Sequence, residues 1–418
     1  MKKIALCTCF AAVLLFAGCV KDMPSPKPGD AAGEVVGLNV PASFDWKTTK
    51  SVDCNFSAAH PSRVFVASGR NAEPFASFVV GGGADAVALD LPAAMQTLYV
   101  SYETETGVSK PEAVSVANSA AVYSLGAKGK EYEGLEDGDK NTTVGNVIHM
   151  PSDGWGTLLF EDLWPAYGDY DFNDFVVNYK AQLYMQNQNK VFAMLIGVRV
   201  KAVGGSIPYD LCLRMLGVKG GEIDEIELVD KANSEDAALV ALNSENRVGE
   251  PALLRFENIR RNPYQQRDAA YVNTEEGYEL SEEQMVSASF LVYFRNSIAI
   301  EDVAFDMFDF FVTRDRESDG RRIEIHMGGF EPTPDAVSDY KALKAASTYT
   351  DKAQDYYYSN DRLVWALNIP HDIRHAYEKV DFLKAYPDMA RWAESGGTQA
   401  QDWYLHGVEE YLVKRMPE

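Results

Sequence analysis

Apolar and polar positions alternate in short runs along much of the chain, the period of half-buried strands. The first group of runs is Ser51 to Phe56, Arg63 to Ser68, Ala76 to Val80, Ala86 to Leu89 and Leu98 to Tyr102. Turn signals such as His60-Pro61, Ser68-Gly69 and Gly81-Gly82-Gly83 separate them. This spacing predicts a small β-sandwich-like domain over 35–125. The stretch 126–148 is polar, with Glu131, Glu133, Glu136, Asp137 and Asp139, and reads as an acidic linker. From 149 onward a larger domain begins. Phe175, Val177, Tyr179, Ala181 and Leu183 alternate with Val176, Asn178, Lys180 and Gln182, and Gln186 to Asn189 reads as the following turn. Val191 to Val203, Leu211 to Leu216, Ile223 to Val229, Ala252 to Phe256 and Val286 to Phe294 continue the sheet, while the polar stretches 232–250 and 257–280 read as loops. The period then lengthens. Asp339 to Ser347, Glu378 to Glu394 and Gln401 to Lys414 have helical spacing, and Pro387 interrupts the second. The expected fold is mainly β (α+β): an N-terminal β-sandwich, then a larger antiparallel β-sheet domain, 149–418, with C-terminal helices.

The start of the chain carries an address. Lys2 and Lys3 precede an apolar segment, Ile4 to Phe16, too short to span a bilayer. Leu15-Phe16-Ala17-Gly18-Cys19 resembles a bacterial lipobox, so residues 1–18 read as a lipoprotein signal peptide and Cys19 as the acylated N-terminus. Multiple acyl chains, palmitate among them, anchor stably where one is marginal. Val20 replaces the Asp that commonly retains such proteins at the inner membrane, so the outer membrane is expected, on its periplasmic or cell-surface face. Residues 19–34, with Pro24, Pro26 and Pro28, form an extended tether.

Composition narrows the partners. The 418-residue chain has a formal net charge of −23, and loss of Lys2 and Lys3 with the leader makes it −23 − 2 = −25. That argues against nucleic-acid partners. After processing, Cys19, Cys54 and Cys212 remain, and the last two read as buried free thiols.

The chemistry concentrates in Phe160-Glu161-Asp162-Leu163-Trp164-Pro165-Ala166-Tyr167-Gly168-Asp169-Tyr170-Asp171-Phe172-Asn173-Asp174-Phe175. Asp169, Asp171 and Asn173 alternate with Tyr170 and Phe172, placing oxygens on one side of an extended loop and rings on the other. If the flanking apolar runs pair, Glu161, Asp162 and Asp174 join the same cluster. Two carboxylates about 4 Å apart repel by roughly 4 kcal/mol at an effective dielectric near 20. A cation would relieve this, and an all-oxygen donor set suits Ca²⁺ in a structural role. Position six of an EF-hand register is Asp174 rather than Gly, and position twelve is Lys180 rather than Glu, so the loop is not an EF-hand. A solvated turn whose Asp and Asn side chains cap backbone amides is the competing reading.

This run closely resembles the signature of the LruC-type domain, a secreted bacterial domain of unknown function. Arg322-Ile323-Glu324-Ile325-His326-Met327 with Pro332-Thr333, Trp365-Ala366 before Pro370, and Asp402-Trp403-Tyr404 extend the resemblance over about 149–408. It implies a secreted or lipid-anchored surface protein with a calcium-type acidic loop, and no established activity.

Other constellations are less specific. Arg322, Glu324 and His326 share one strand face, either a polar cleft or a cross-strand ion-pair network. Tyr356-Tyr357-Tyr358 with Trp365 reads equally as a sugar-stacking surface or as buried rings. Phe44 and Trp46 read as sealing the sandwich edge. His371-Asp372-Ile373-Arg374-His375 departs from the zinc-protease helix at its base, Asp for Glu. No nucleophile elbow, phosphate loop or dinucleotide fingerprint occurs, so no catalytic residue is assigned. The sequence supports a lipid-anchored binding or adhesion module, with a glycan or a surface protein as partner. The alternative is a carbohydrate-active enzyme using paired carboxylates, Glu324 among them.

Overall fold

The computed structural model describes residues 37–81, 86–134, 145–186, 189–242, 247–350 and 355–416. The leader 1–18, Cys19 and the tether 19–34 lie outside the described residues, as do Gly82-Gly83, the middle of 126–148 and part of the Gln186 to Asn189 turn.

The chain is mainly β, as its alternating pattern predicts. Among the described residues, two sheets of fifteen and five strands form. The larger runs from an edge at Ile223–Ala232 through Val286–Ile298, Val191–Ala202, Phe175–Met185 and Asn146–Met150. It continues through Ala76–Val80 and Ser62–Ala67 to the far edge at Val87–Pro92. Asn146–Met150 lies at the end of the expected linker and joins the two halves: Ala76 pairs with Ile148, and His149 N donates to Phe75 O at 2.8 Å. The Asn189 side chain imitates a neighbouring strand, accepting from Val79 N and donating to Val79 O.

The smaller sheet orders Ala238–Ala241, Pro251–Glu257, Asp210–Lys219, Phe308–Asp315 and Arg322–His326. One face, with Leu213, Leu254, Phe310, Val312 and Ile325, is buried against the larger sheet. Ring contacts bridge the two layers, Tyr179 to Phe310 at 4.9 Å and Phe256 to Phe290 at 6.2 Å. Two of these strands carry no simple alternation. Ala238–Ala241 lies in an expected loop, and Phe308–Asp315 buries both faces because Asp309 is paired inside the fold.

The helices correct part of the expectation. Val337–Ala346 is a helix, and Phe382–Ala385 and Asp388–Glu394 meet at Pro387. Gln401 to Lys414 is not one helix. It forms two short 3₁₀ turns, Trp403–Leu405 and Glu409–Tyr411. Beyond them Leu412 bridges Ala376 and Val413 N donates to His375 O, so tertiary pairing of buried residues overrides the local period.

Phe44 and Trp46 are buried, but their partner is distant in sequence. Both pack edge-on to Trp392, at 4.8 and 5.7 Å, and Trp46 Nε1 donates to Arg362 O at 2.7 Å. The pair ties the N-terminal strands to the C-terminal helices. Cys54 and Cys212 are buried free thiols.

Candidate metal centre

Gly156–Phe160 and Phe175–Met185 pair antiparallel, with Phe160 opposite Phe175. Residues 161–174 are therefore a loop whose ends are clamped together. Its backbone is not the simple extended ribbon that alternation suggests. Gly168, Tyr170 and Phe172 have φ of 72°, 59° and 54°. A left-handed conformation costs roughly 1–2 kcal/mol for a residue bearing Cβ. Here it turns the amides of Tyr170 and Phe172 onto the buried Glu161 carboxylate, at 3.3 and 2.7 Å. The two rings pack on each other at 4.6 Å, and Phe172 packs on Phe382. Ring burial and charge-assisted hydrogen bonds together offset the strain. Gly168 is required twice over, since a Cβ there would also lie 2.6 Å from Glu161 Oε2.

Glu161, Asp169 and Asp171 each bring a carboxylate oxygen within 4.8 Å of the others. Asp171 is fixed by Asn173 N at 3.2 Å and Lys379 N at 2.7 Å. Burial, then the charges of Asp174, Asp171 and Asp169, push Glu161 well above the usual carboxylate range. Burial and Asp169 do the same to Asp171, and burial raises Asp169. In the absence of a cation this cluster resists ionisation.

Asp162 and Asp174 form a second group beside the first. Asp174 Oδ2 accepts from Asp162 N at 2.8 Å. Burial pushes Asp162 up to about 6 against the pull of Arg260, and burial with Asp162 raises Asp174 further. Arg260 donates to Gly205 O at 2.8 Å, where a Cβ would meet Asp162 Oδ2 at 2.2 Å. Asn173 is buried, and its Nδ2 donates to Ala376 O. Its Oδ1 has no hydrogen-bond partner among the described residues.

Of the six predicted ligands, the fold thus gathers Glu161, Asp169 and Asp171 most tightly, with Asp162, Asn173 and Asp174 alongside. Sequence reasoning missed Glu378, which burial and Asp169 push up to about 7, and also Arg260 and the Lys379 amide. These come from segments about 90 and 200 residues away, and no local pattern marks them.

The donors fit Ca²⁺. Oxygens around an ion at about 2.4 Å lie no more than about 4.8 Å apart. The set is all oxygen, and a carboxylate oxygen that accepts one amide proton keeps a second lone pair.

On the Arg322–His326 strand, Arg322 and Glu324 line a cleft, while His326 lies buried in an ion-pair network. His326 is buried between Asp309, at 2.9 Å from Nδ1, and Glu324, at 3.1 Å from Nε2. Arg214 reaches Asp309 at 2.7 Å, and Thr333 donates to Glu324 through N and Oγ1. Burial raises the Glu324 carboxyl, but hydrogen bonds from His326 and Thr333 outweigh this and bring it below its ordinary value. A general acid needs the opposite shift. Arg322 pairs instead with Asp315, at 3.0 and 3.3 Å. Tyr357 and Tyr358 are buried, Tyr357 beside Trp164, Tyr340 and His326, so these two rings are core rather than a stacking surface, and Tyr356 is half-buried. In the His371–His375 segment, Asp372 pairs with Lys201 and His375 Nε2 donates to Asn273 O, which is not a metal-ligand arrangement.

The fold and loop define a mainly β protein with a buried oxygen cluster, of a class without an assigned activity. Residues 189–404 match a domain of unknown function, DUF4842, and the chain belongs to that family. The matched span begins after the acidic loop. A crystal structure of a candidate lipoprotein from Bacteroides ovatus has the same fold, with a TM-score of 0.62 and 21% identity, over 84% of this chain and 99% of that one. No curated protein matches the chain.

Proposed function

We propose that the chain is an outer-membrane lipoprotein, anchored through acylated Cys19, whose folded part binds a partner at the envelope and is braced by one structural Ca²⁺. The convergence of Glu161, Asp169 and Asp171 within 4.8 Å, on a loop that accepts left-handed backbone to form it, carries the metal reading. Asn173 and the Asp162–Asp174 pair complete the oxygen shell, with Glu378 nearby. The partner is a glycan or a surface protein. Equilibrium dialysis of EDTA-stripped protein is expected to find one Ca²⁺ per chain; no uptake at millimolar Ca²⁺ would remove the metal from the proposal.

The anchor is supported by the basic and apolar leader, the Leu15-Phe16-Ala17-Gly18-Cys19 sequence, and the lipoprotein description of the structural neighbour. Cells fed labelled palmitate should incorporate it into the parent and not into the Cys19→Ala variant. Equal labelling of both would refute the anchor.

A further inference from the structure

The outward face of the five-stranded sheet carries a cleft of about 300 Å³ that neither the acidic loop nor the lipid anchor uses. Period-two alternation builds it. Leu211, Phe310, Val312 and Ile323 turn into the core, so Cys212, Phe311, Thr313 and Glu324 turn outward on the same strands. The register places Cys212 between Arg255 and Phe311, and Thr313 opposite Glu324. Leu253 and Leu242 close one side. Arg247, Thr333 and Asp335 arrive from loops to form the rim.

Three guanidinium groups, from Arg247, Arg255 and Arg322, converge on this space in a chain of net charge −23. Carboxylates orient all three: Asp335 at 2.5 Å and Glu250 at 3.8 Å on Arg247, Glu257 at 2.5 Å on Arg255, and Asp315 at 3.0 Å on Arg322. A guanidinium offers five N–H donors, so these pairs hold the arginines in place without exhausting them. Arg255 Nε has no hydrogen-bond partner among the described residues. Neither has the Thr313 hydroxyl, although Thr313 is 95% buried and lines the cleft. A buried hydroxyl without a partner costs free energy unless something else satisfies it. Phe311 is also among the lining residues, its ring stacked on the parallel His326 imidazole at 4.1 Å.

We propose that this cleft binds a small carboxylate that also carries hydroxyl groups, of the size of one carboxylated sugar ring. Arg255 and Arg322 hold the carboxylate, which a planar fork matches with paired hydrogen bonds. Thr313, Thr333 and the rim carboxylate of Asp335 take the hydroxyls, and Phe311 lies under the ring's apolar face. The volume, at the low end for small-molecule sites, admits one such unit. The cleft is separate from the metal centre, and the choice of a sugar acid rests on the proposed glycan-binding role at the envelope.

The test is isothermal titration of the full-length protein in detergent with D-glucuronate, D-glucose and acetate. Glucuronate should bind at least tenfold tighter than either control. Arg255→Met should weaken it at least tenfold, with the melting temperature confirming a folded variant. Thr313→Val supplies the sharper readout. It removes a hydroxyl that the fold leaves unpartnered, so glucuronate affinity should fall several-fold while stability is kept or raised. Glucuronate binding no tighter than glucose would overturn the carboxylate assignment. Acetate binding as tightly as glucuronate would overturn the sugar-sized ligand. Full affinity in both variants would overturn the site. Repeating the titration in EDTA separates this outcome from that of the calcium loop, since loss there alone would trace to the metal.

Discussion

Full-length protein melted in EDTA should unfold at lower temperature than in millimolar Ca²⁺, and Asp171→Ala should abolish the difference. At about 100-fold saturation a bound ion adds roughly 2.7 kcal/mol. At roughly 2–4 °C per kcal/mol for domains of a few hundred residues, this corresponds to a rise on the order of 5–10 °C. The variant has a second effect that must be kept apart. The Asp171 carboxylate also caps the amides of Asn173 and Lys379, so its loss lowers the melting temperature even in EDTA. The diagnostic is the missing Ca²⁺ increment, not the lower baseline. Mg²⁺ at the same concentration should give a smaller rise, because it demands shorter bonds and keeps its water. If the parent shows no shift with Ca²⁺, the cluster holds its protons instead, and the loop is braced by its amide caps alone.

The sequence marked this loop because two signals coincide there. Apolar runs on both sides have the strand period, and the acids between them lack any local Lys or Arg. Pairing of Phe160 with Phe175 then follows from the pattern. The left-handed turns at Tyr170 and Phe172 do not follow, since they are stabilised by contacts with Glu161 and Phe382 that only the folded chain makes. The same division holds elsewhere. Arg322, Glu324 and His326 were legible as one face because Ile323 and Ile325 alternate with them. Their partners Asp309 and Arg214 were not, because a buried Asp in Phe308–Asp315 breaks the alternation that would have announced a strand. Tyr356-Tyr357-Tyr358 has no period at all, and only tertiary packing decides that two of its rings are core. The Trp46–Trp392 contact joins segments over 340 residues apart, beyond any local rule.

His326→Leu should destabilise the protein by about 3–5 kcal/mol, the range for breaking a buried ion pair by removing one partner. It leaves Glu324 and Asp309 buried without the cation between them, although Thr333 and Arg214 remain. The loss should depend on pH in a direction the geometry fixes. Burial disfavours the imidazolium, but Asp309 and Glu324 outweigh it and raise His326 above its ordinary 6.5. Its contribution is therefore fully present below 6.5 and is lost as pH rises through the raised value. Glu324 is held below its ordinary 4.5, so its contribution is present above 4.5 and is lost as pH falls through the lowered value. Both are present in full only between 4.5 and 6.5. Urea unfolding of parent and variant at pH 5.5 should show the full gap, and at pH 8.5 a smaller one. A gap of the same size at both values would mean that a neutral ring fills space against Phe311 and Tyr357 and carries no charge. The pH dependence, more than the size of the loss, thus distinguishes an ion network from simple packing, and it does so far from the acidic loop, where added Ca²⁺ should leave the gap unchanged.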